Sequence, residues 1–182
     1  MTEEIIIAGA GGQGVMLLGK VLAQAGLIQG KYVTWLPSYG AEVRGGTAYC
    51  MVIVSDKQIG SPYIDKADTL IIMNEPSFRK FYSYLKDNGL LILNTSFINL
   101  AESQLYKRRR VVKHPFTDIA MQMGNARVAN MIALGGYLAQ KDIVDQRSVI
   151  KAMEEMTLTD KRELLEVNKQ ALYTGLKLYG KS

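Results

Sequence analysis

The sequence predicts an α/β chain: a three-layer, Rossmann-like domain with a mostly parallel, mixed sheet. Three observations carry that expectation. Short apolar runs bounded by turn residues alternate with stretches of helical period, the pattern of buried parallel strands joined by crossover helices. The first run, EIIIA, passes straight into the glycine-rich GAGGQG of residues 9–14 and then into an apolar helical segment. The run at Thr47–Ser55 follows the second strand with no helix between them, so the sheet is expected to be mixed.

Glu4–Ala8 reads as a buried strand because it is apolar and ends at glycine. A helix follows over Gly14–Gln29, with Val15, Leu18, Leu22 and Ala25 on one face and Gly30 as its stop. Tyr32–Leu36 is β-branched and aromatic, a second strand ended by Pro37. Residues 37–46 form a loop with three glycines and two opposite charges, before the long strand Thr47–Ser55. Asp68–Met73 is a fourth strand. Asn74 caps a helix over residues 74–85, with Pro76 in its first turn. Gly89–Asn94 and Arg109–Phe116 are two more strands. Helices then fill Phe116–Met123, Asn125–Gln140, Asp145–Met156 and Lys161–Tyr179, the last with Leu165, Leu172, Leu176 and Tyr179 sharing a face. No repeat or linker interrupts the chain, so residues 1–182 are expected to form a single domain.

Composition narrows the function. With 48% apolar and 21% charged residues the chain is an ordinary globular one, and no apolar run reaches the roughly 20 residues that span a bilayer. The acidic MTEE start is unlike a secretion signal, so a cytoplasmic setting is expected. One cysteine, Cys50, and one histidine, His114, exclude an internal disulfide, a cysteine-ligated iron–sulfur cluster and a multi-histidine metal site built from this chain. Cys50 is expected to be a small buried hydrophobe and His114 a satisfied structural group. The net charge of +5 is spread out apart from KRRR at residues 107–110, read as a solvated strand edge. No basic face with aromatics suggests nucleic acid; the balance suits an anionic ligand or an acidic partner.

Residues 9–14 fit the dinucleotide template G-x-G-x-x-G. Glycines let the backbone turn and approach a ligand, and the helix N-terminus presents N–H groups to an anion. A dinucleotide site also needs an acid about 20 residues on, at the end of the second strand, to hold the ribose. Here that strand ends in Trp35, Leu36 and Pro37. Contact with a phosphate or other anion is therefore favoured over NAD. A free-standing nucleotide-binding domain, and a structural module whose glycines only permit close packing, are the alternatives.

The second loop, with Glu42 and Arg44 among Gly40, Gly45 and Gly46, is expected to lie beside the first and line one crevice with it. Three stretches, AGAGGQGVMLLGKVLAQA, SYGAEVRGGTAYCMVIVSD and MGNARVANMIALGG (Met123–Gly136), in this order and spacing, resemble the gamma subunit of 2-oxoacid:ferredoxin (acceptor) oxidoreductases over essentially the whole chain. The resemblance implies a Rossmann-like subunit of an enzyme that converts a 2-oxoacid and CoA to acyl-CoA and CO2 while reducing a low-potential acceptor. It also implies alpha, beta and ferredoxin-like delta partner subunits, which carry thiamine diphosphate, Mg2+ and iron–sulfur clusters. The chain has no G-D-G followed by a downstream Asn, so it is not expected to catalyse alone, and it contributes no catalytic or metal-ligating residue. Its expected contribution is assembly and the CoA side of the site: Gly9, Gly11, Gly12, Gln13 and Gly14 at the CoA phosphates, Arg44 paired with a phosphate or a partner's acid, and Asn125 at a helix start where an N-cap role is favoured. Asn130, inside that helix, needs a partner for its amide, with the second loop as one candidate. 2-Oxoglutarate is the preferred oxoacid, on general likeness to small stand-alone gamma chains.

Overall fold

The computed structural model describes residues 1–38, 47–99, 110–157 and 162–179. Its elements in chain order are β1 (Thr2–Ala10), α1 (Val15–Ile28), β2 (Tyr32–Ser38), β3 (Thr47–Ser55), β4 (Ala67–Ile72), α2 (Glu75–Phe81), β5 (Leu85–Asn94), β6 (Arg110–His114), α3 (Phe116–Gln122), α4 (Ala129–Gln140), α5 (Gln146–Met156) and α6 (Arg162–Lys177). The strands form one six-stranded sheet in the order β2-β3-β1-β4-β5-β6. β1, β4, β5 and β6 pair in parallel, while β3 runs antiparallel to both β1 and β2. The mixed, mostly parallel α/β sheet is thus present.

The position of β3 revises the expected neighbourhood. A doubly wound sheet would set the second strand against the first; here β3 lies between them, with Ala10 opposite Thr47 and Ser38 opposite Tyr49. The cause is simple: only residues 39–46 separate β2 from β3, too few for the crossover that parallel pairing needs. The start of β3, rather than the end of β2, is therefore next to the glycine loop.

Both faces of the sheet are buried, which is why the strands read as apolar runs. Ile5, Ile7, Cys50, Val52, Val54, Ile71 and Ile92 face the layer built from α1, α3, α4, α5 and α6. Ile6, Ala8, Met51, Ile53, Leu70, Ile72 and Leu91 face the thinner layer of α2 and the segment containing Ile64. Ile5, Ile6, Ile7 and Ala8 are wholly buried, each isoleucine stabilising the fold by about 1.5–3 kcal/mol through burial. α4 has every residue but its last buried, sandwiched between the sheet side and α6. The α4–α6 crossing is close because a Cβ on Gly135 would stand 2.2 Å from the Leu172 carbonyl oxygen, and one on Gly175 2.0 Å from that of Ile132.

Most boundaries agree with the sequence reading to within two residues. The α1 stop is a Schellman closure: Gly30 N–H donates to Leu27 O at 2.9 Å and Lys31 N–H to Gly26 O at 3.0 Å. Three elements differ: α2, β5, which starts at Leu85 rather than Gly89, and α4. The helix expected over residues 74–85 ends at Phe81; Tyr82–Tyr84 tighten into a 3-10 turn, and Leu85 already pairs with Ala67 as the start of β5. The Phe78 and Tyr82 rings stack 4.5 Å apart across the helix's last turn, where the Tyr82 N–H donates to the Phe78 carbonyl. The helix expected from Asn125 begins as a 3-10 turn, Ala126–Val128, before α4 proper. No helix among the described residues is long and apolar enough to cross a membrane.

Candidate functional site

β1, β4, β5 and β6 end at one edge of the sheet, and the glycine loop turns over that edge. Gly14 is the N-cap of α1 and takes a left-handed backbone, φ 70°; Gly12 has φ 89°. An L side chain at either position is strained. No side chain caps α1, so its first N–H groups open onto the loop. There the loop borders a cavity of about 340 Å³, lined by Ala10, Gly11, Gly12, Gly14, the first turn of α1 and, from the hairpin, Ser38 and Ala48. The lining has no carboxylate, so neither the end of β2 nor the start of β3 supplies a ribose-holding acid among the described residues. Ser38 of β2 and Ala48 of β3, the strand residues on either side of the second loop, thus border this crevice. Arg44 and Glu42 fall within 39–46 and lie outside the described residues.

The predicted site residues divide into those that face the crevice and those that hold the loop. Gln13 is of the second kind. Its Oε1 accepts from the Ala10 N–H at 2.7 Å, and its Nε2 donates to the Met73 carbonyl at 3.2 Å, joining the ends of β1 and β4. Gly9 lies beneath it, where a Cβ would be 2.7 Å from that same Oε1. Asn125 caps the 3-10 turn, its Oδ1 accepting from the Arg127 N–H at 3.1 Å. Gly11, Gly12 and Gly14 line the cavity. Asn130 finds its partner in the first loop: its Nδ2 donates to the Gly14 carbonyl at 3.0 Å, and its Oδ1 accepts from the Met131 N–H at 2.9 Å.

Two groups escaped the sequence reading. Asn94, wholly buried at the end of β5, donates to the Met73 carbonyl at 3.3 Å and to Thr117 Oγ1 at 2.9 Å, so one carbonyl receives both it and Gln13. Arg127 and Phe97 line a second cavity, of about 200 Å³, on which Gly12 and Gln13 also border. Asn94 looks like the end of a strand in sequence; Arg127, a cation two residues after Asn125, was the available signal.

Among the described residues the sulfur and imidazole donors are not disposed to hold an iron–sulfur cluster or a metal ion. Cys50 is buried, its Sγ donates to the Val15 carbonyl at 3.5 Å, and burial pushes its thiol up to about 12, so it is no thiolate ligand for a cluster. Among the described residues no three His, Cys, Asp or Glu side chains gather as a metal site. His114 sits edge-on to the Tyr179 ring, centroids 4.8 Å apart, and burial lowers its pKa.

Comparison with known proteins agrees with this architecture. Residues 4–178 match the family model described as pyruvate ferredoxin/flavodoxin oxidoreductase. The chain is 34% identical to the ketoisovalerate oxidoreductase subunit VorA of Methanothermobacter thermautotrophicus over 93% of its own length but only 35% of that protein, so it spans about a third of that longer relative. It is 35% identical to the 2-oxoglutarate synthase subunit KorC of Archaeoglobus fulgidus, covering 84% of this chain and 81% of that one. The crystal structure of the gamma subunit of a keto/oxoacid ferredoxin oxidoreductase from Geobacter sulfurreducens superposes with a TM-score of 0.83 at 27% identity, over 97% of this chain and 98% of that one.

Proposed function

We propose, for a chain that belongs to the pyruvate ferredoxin/flavodoxin oxidoreductase family and is one of its gamma subunits, that it works as a single domain, residues 1–182, completing the CoA side of a cytoplasmic 2-oxoacid oxidoreductase. The assembled enzyme converts a 2-oxoacid and CoA to acyl-CoA and CO2, and passes the electrons to ferredoxin or another low-potential acceptor. The alpha, beta and delta subunits hold thiamine diphosphate, Mg2+ and the iron–sulfur clusters. This chain's residues bind and orient; they move no proton or electron.

The observation that carries the reading is the crevice over the glycine loop. It joins an uncapped α1 N-terminus to a space bordered by Ala10, Gly11, Gly12 and Gly14, with no carboxylate in the wall among the described residues, the chemistry of a phosphate site without a ribose acid. Gly11, Gly12 and Gly14 let the main chain approach the ligand, while Gln13 and Asn130 hold the loop in shape. Arg44 pairs with a phosphate or with an acid of a neighbouring subunit, as its guanidinium suits. 2-Oxoglutarate is the working oxoacid, because the KorC relative matches this chain over most of both lengths.

Native purification with mass spectrometry of the co-purifying chains, an oxoacid panel assayed with CoA and a viologen dye, and calorimetric titration of the complex with CoA test the proposal. Gly12→Val and Arg44→Ala complexes are expected to bind CoA more weakly; unchanged affinity in both overturns the CoA role. A second reading, a structural interaction module, draws on the inward hydrogen bonds of Gln13 and Asn130. It requires wild-type CoA affinity in both variants together with loss of co-purifying subunits.

A further inference from the structure

We propose that Arg127 and Phe97 form the nucleotide-recognising wall of the glycine-loop site, so that the subunit selects the adenosine-phosphate end of CoA. The inference rests on the CoA reading above and adds to it the side of the loop on which the nucleotide lies.

Gly12 borders both cavities: the one over α1 and the second, of about 200 Å³, between the loop and the turn into α4. A ligand crossing the bare crest at Gly12, where a Cβ would meet nothing within 4 Å, reaches both. The second cavity presents side chains of the two kinds a nucleotide requires. Phe97 is 53% exposed, a large aromatic left in water beside the loop; a base gains by stacking on such a face. Arg127 is exposed, and among the described residues its guanidinium makes no ion pair; its planar fork suits a phosphate. Among the described residues no acid lines the cavity.

Both residues sit on braced backbone. The Arg127 N–H is held by Asn125 Oδ1, and the Phe97 N–H donates to the Asn94 carbonyl at 3.3 Å. Ser96 Oγ accepts from the Asp118 N–H at 3.1 Å, fastening the turn that carries Phe97 to α3. Thr117, also in the wall, is fixed by Asn94. A pre-shaped wall loses little freedom on binding.

The test is calorimetric titration of the assembled complex with CoA, dephospho-CoA and pantetheine. Arg127→Ala and Phe97→Ala are each expected to weaken CoA about tenfold, with pantetheine affinity unchanged and Phe97→Tyr close to wild type. If Arg127→Ala leaves dephospho-CoA untouched, the arginine reads the 3′-phosphate; if both ligands weaken equally, it reads the pyrophosphate. Unchanged CoA affinity in Arg127→Ala and Phe97→Ala, alongside weakened affinity in Gly12→Val, overturns this inference while leaving the loop reading standing. Unchanged affinity in Gly12→Val and Arg44→Ala as well removes both. Equal weakening of CoA and pantetheine by Arg127→Ala and Phe97→Ala also overturns it, because the wall would then be acting only on the shape of the site.

Discussion

The side-chain amide of Asn130 donates to the carbonyl oxygen of Gly14 across 116 residues of sequence, at 3.0 Å. The same nitrogen would lie 2.4 Å from a Cβ on Gly14. The buried amide of α4 thus occupies the space that a side chain at the N-cap of α1 would need.

Gly14→Ala is expected to lose about 1–2 kcal/mol from its left-handed backbone alone, with displacement of Asn130 adding to it. Asn130→Leu removes one of the two donors of the Gly14 carbonyl, which keeps the Leu18 N–H at 3.0 Å, and the acceptor of the Met131 N–H, and loses about 0.5–1.5 kcal/mol. Urea unfolding of both variants and of the double variant measures this. Strict additivity would contradict the contact, since touching residues couple.

Glu3 is a second buried polar anchor, 5% exposed, at the opposite end of β1. It accepts from Thr69 Oγ1 at 2.6 Å and from Lys141 Nζ, just beyond the end of α4. Lys141→Met is expected to destabilise by about 1–3 kcal/mol, because it strands a buried carboxylate. Adding Glu3→Gln should recover part of that loss; a double variant worse than the sum of the singles would refute the pairing.

His114 gives the fold a pH dependence of definite sign. Its pKa is lowered by burial against Tyr179 and Phe116. The unfolded chain therefore binds the proton more readily, so the stability His114 contributes is present above the ordinary histidine pKa and is lost as pH falls below it. Asp56 and Asp145, whose carboxyls are lowered by their hydrogen-bonding partners, act at much lower pH. Unfolding midpoints at pH 7.5 and 5.5 should drop with acid, and the drop should shrink in His114→Phe. A drop of equal size in that variant would assign the effect elsewhere.

Cys50, with its thiol pushed up to about 12 by burial, should resist a thiol-specific dye at pH 8 and label fully in urea. Rapid stoichiometric labelling of the native chain would contradict its buried place.

The periodic segments were legible in the sequence because each buries a fixed face: Ile5–Ala8, Leu70–Ile72 and Leu91–Leu93 are apolar on both sides, and α1 has its stop at Gly30. What local pattern does not contain is pairing across the sheet. Nothing in Tyr32–Ser38 says that β3 intervenes between it and β1. For the same reason Gln13 reads as a ligand group, although its amide reaches Met73 at the end of another strand. Arg127 and Phe97 are far apart in sequence, and only the fold brings them to one wall.

The deep burial of α4 sets an order of completion. Residues 9–14 leave the ribosome well before residue 130 brings the amide that holds Gly14, and the outer side of α4 stays uncovered until α6 crosses it at Gly175. A nascent or truncated chain that stops short of α4 carries the whole glycine motif without the brace that shapes it. The shape of the loop at residues 9–14 is completed by the chain's second half.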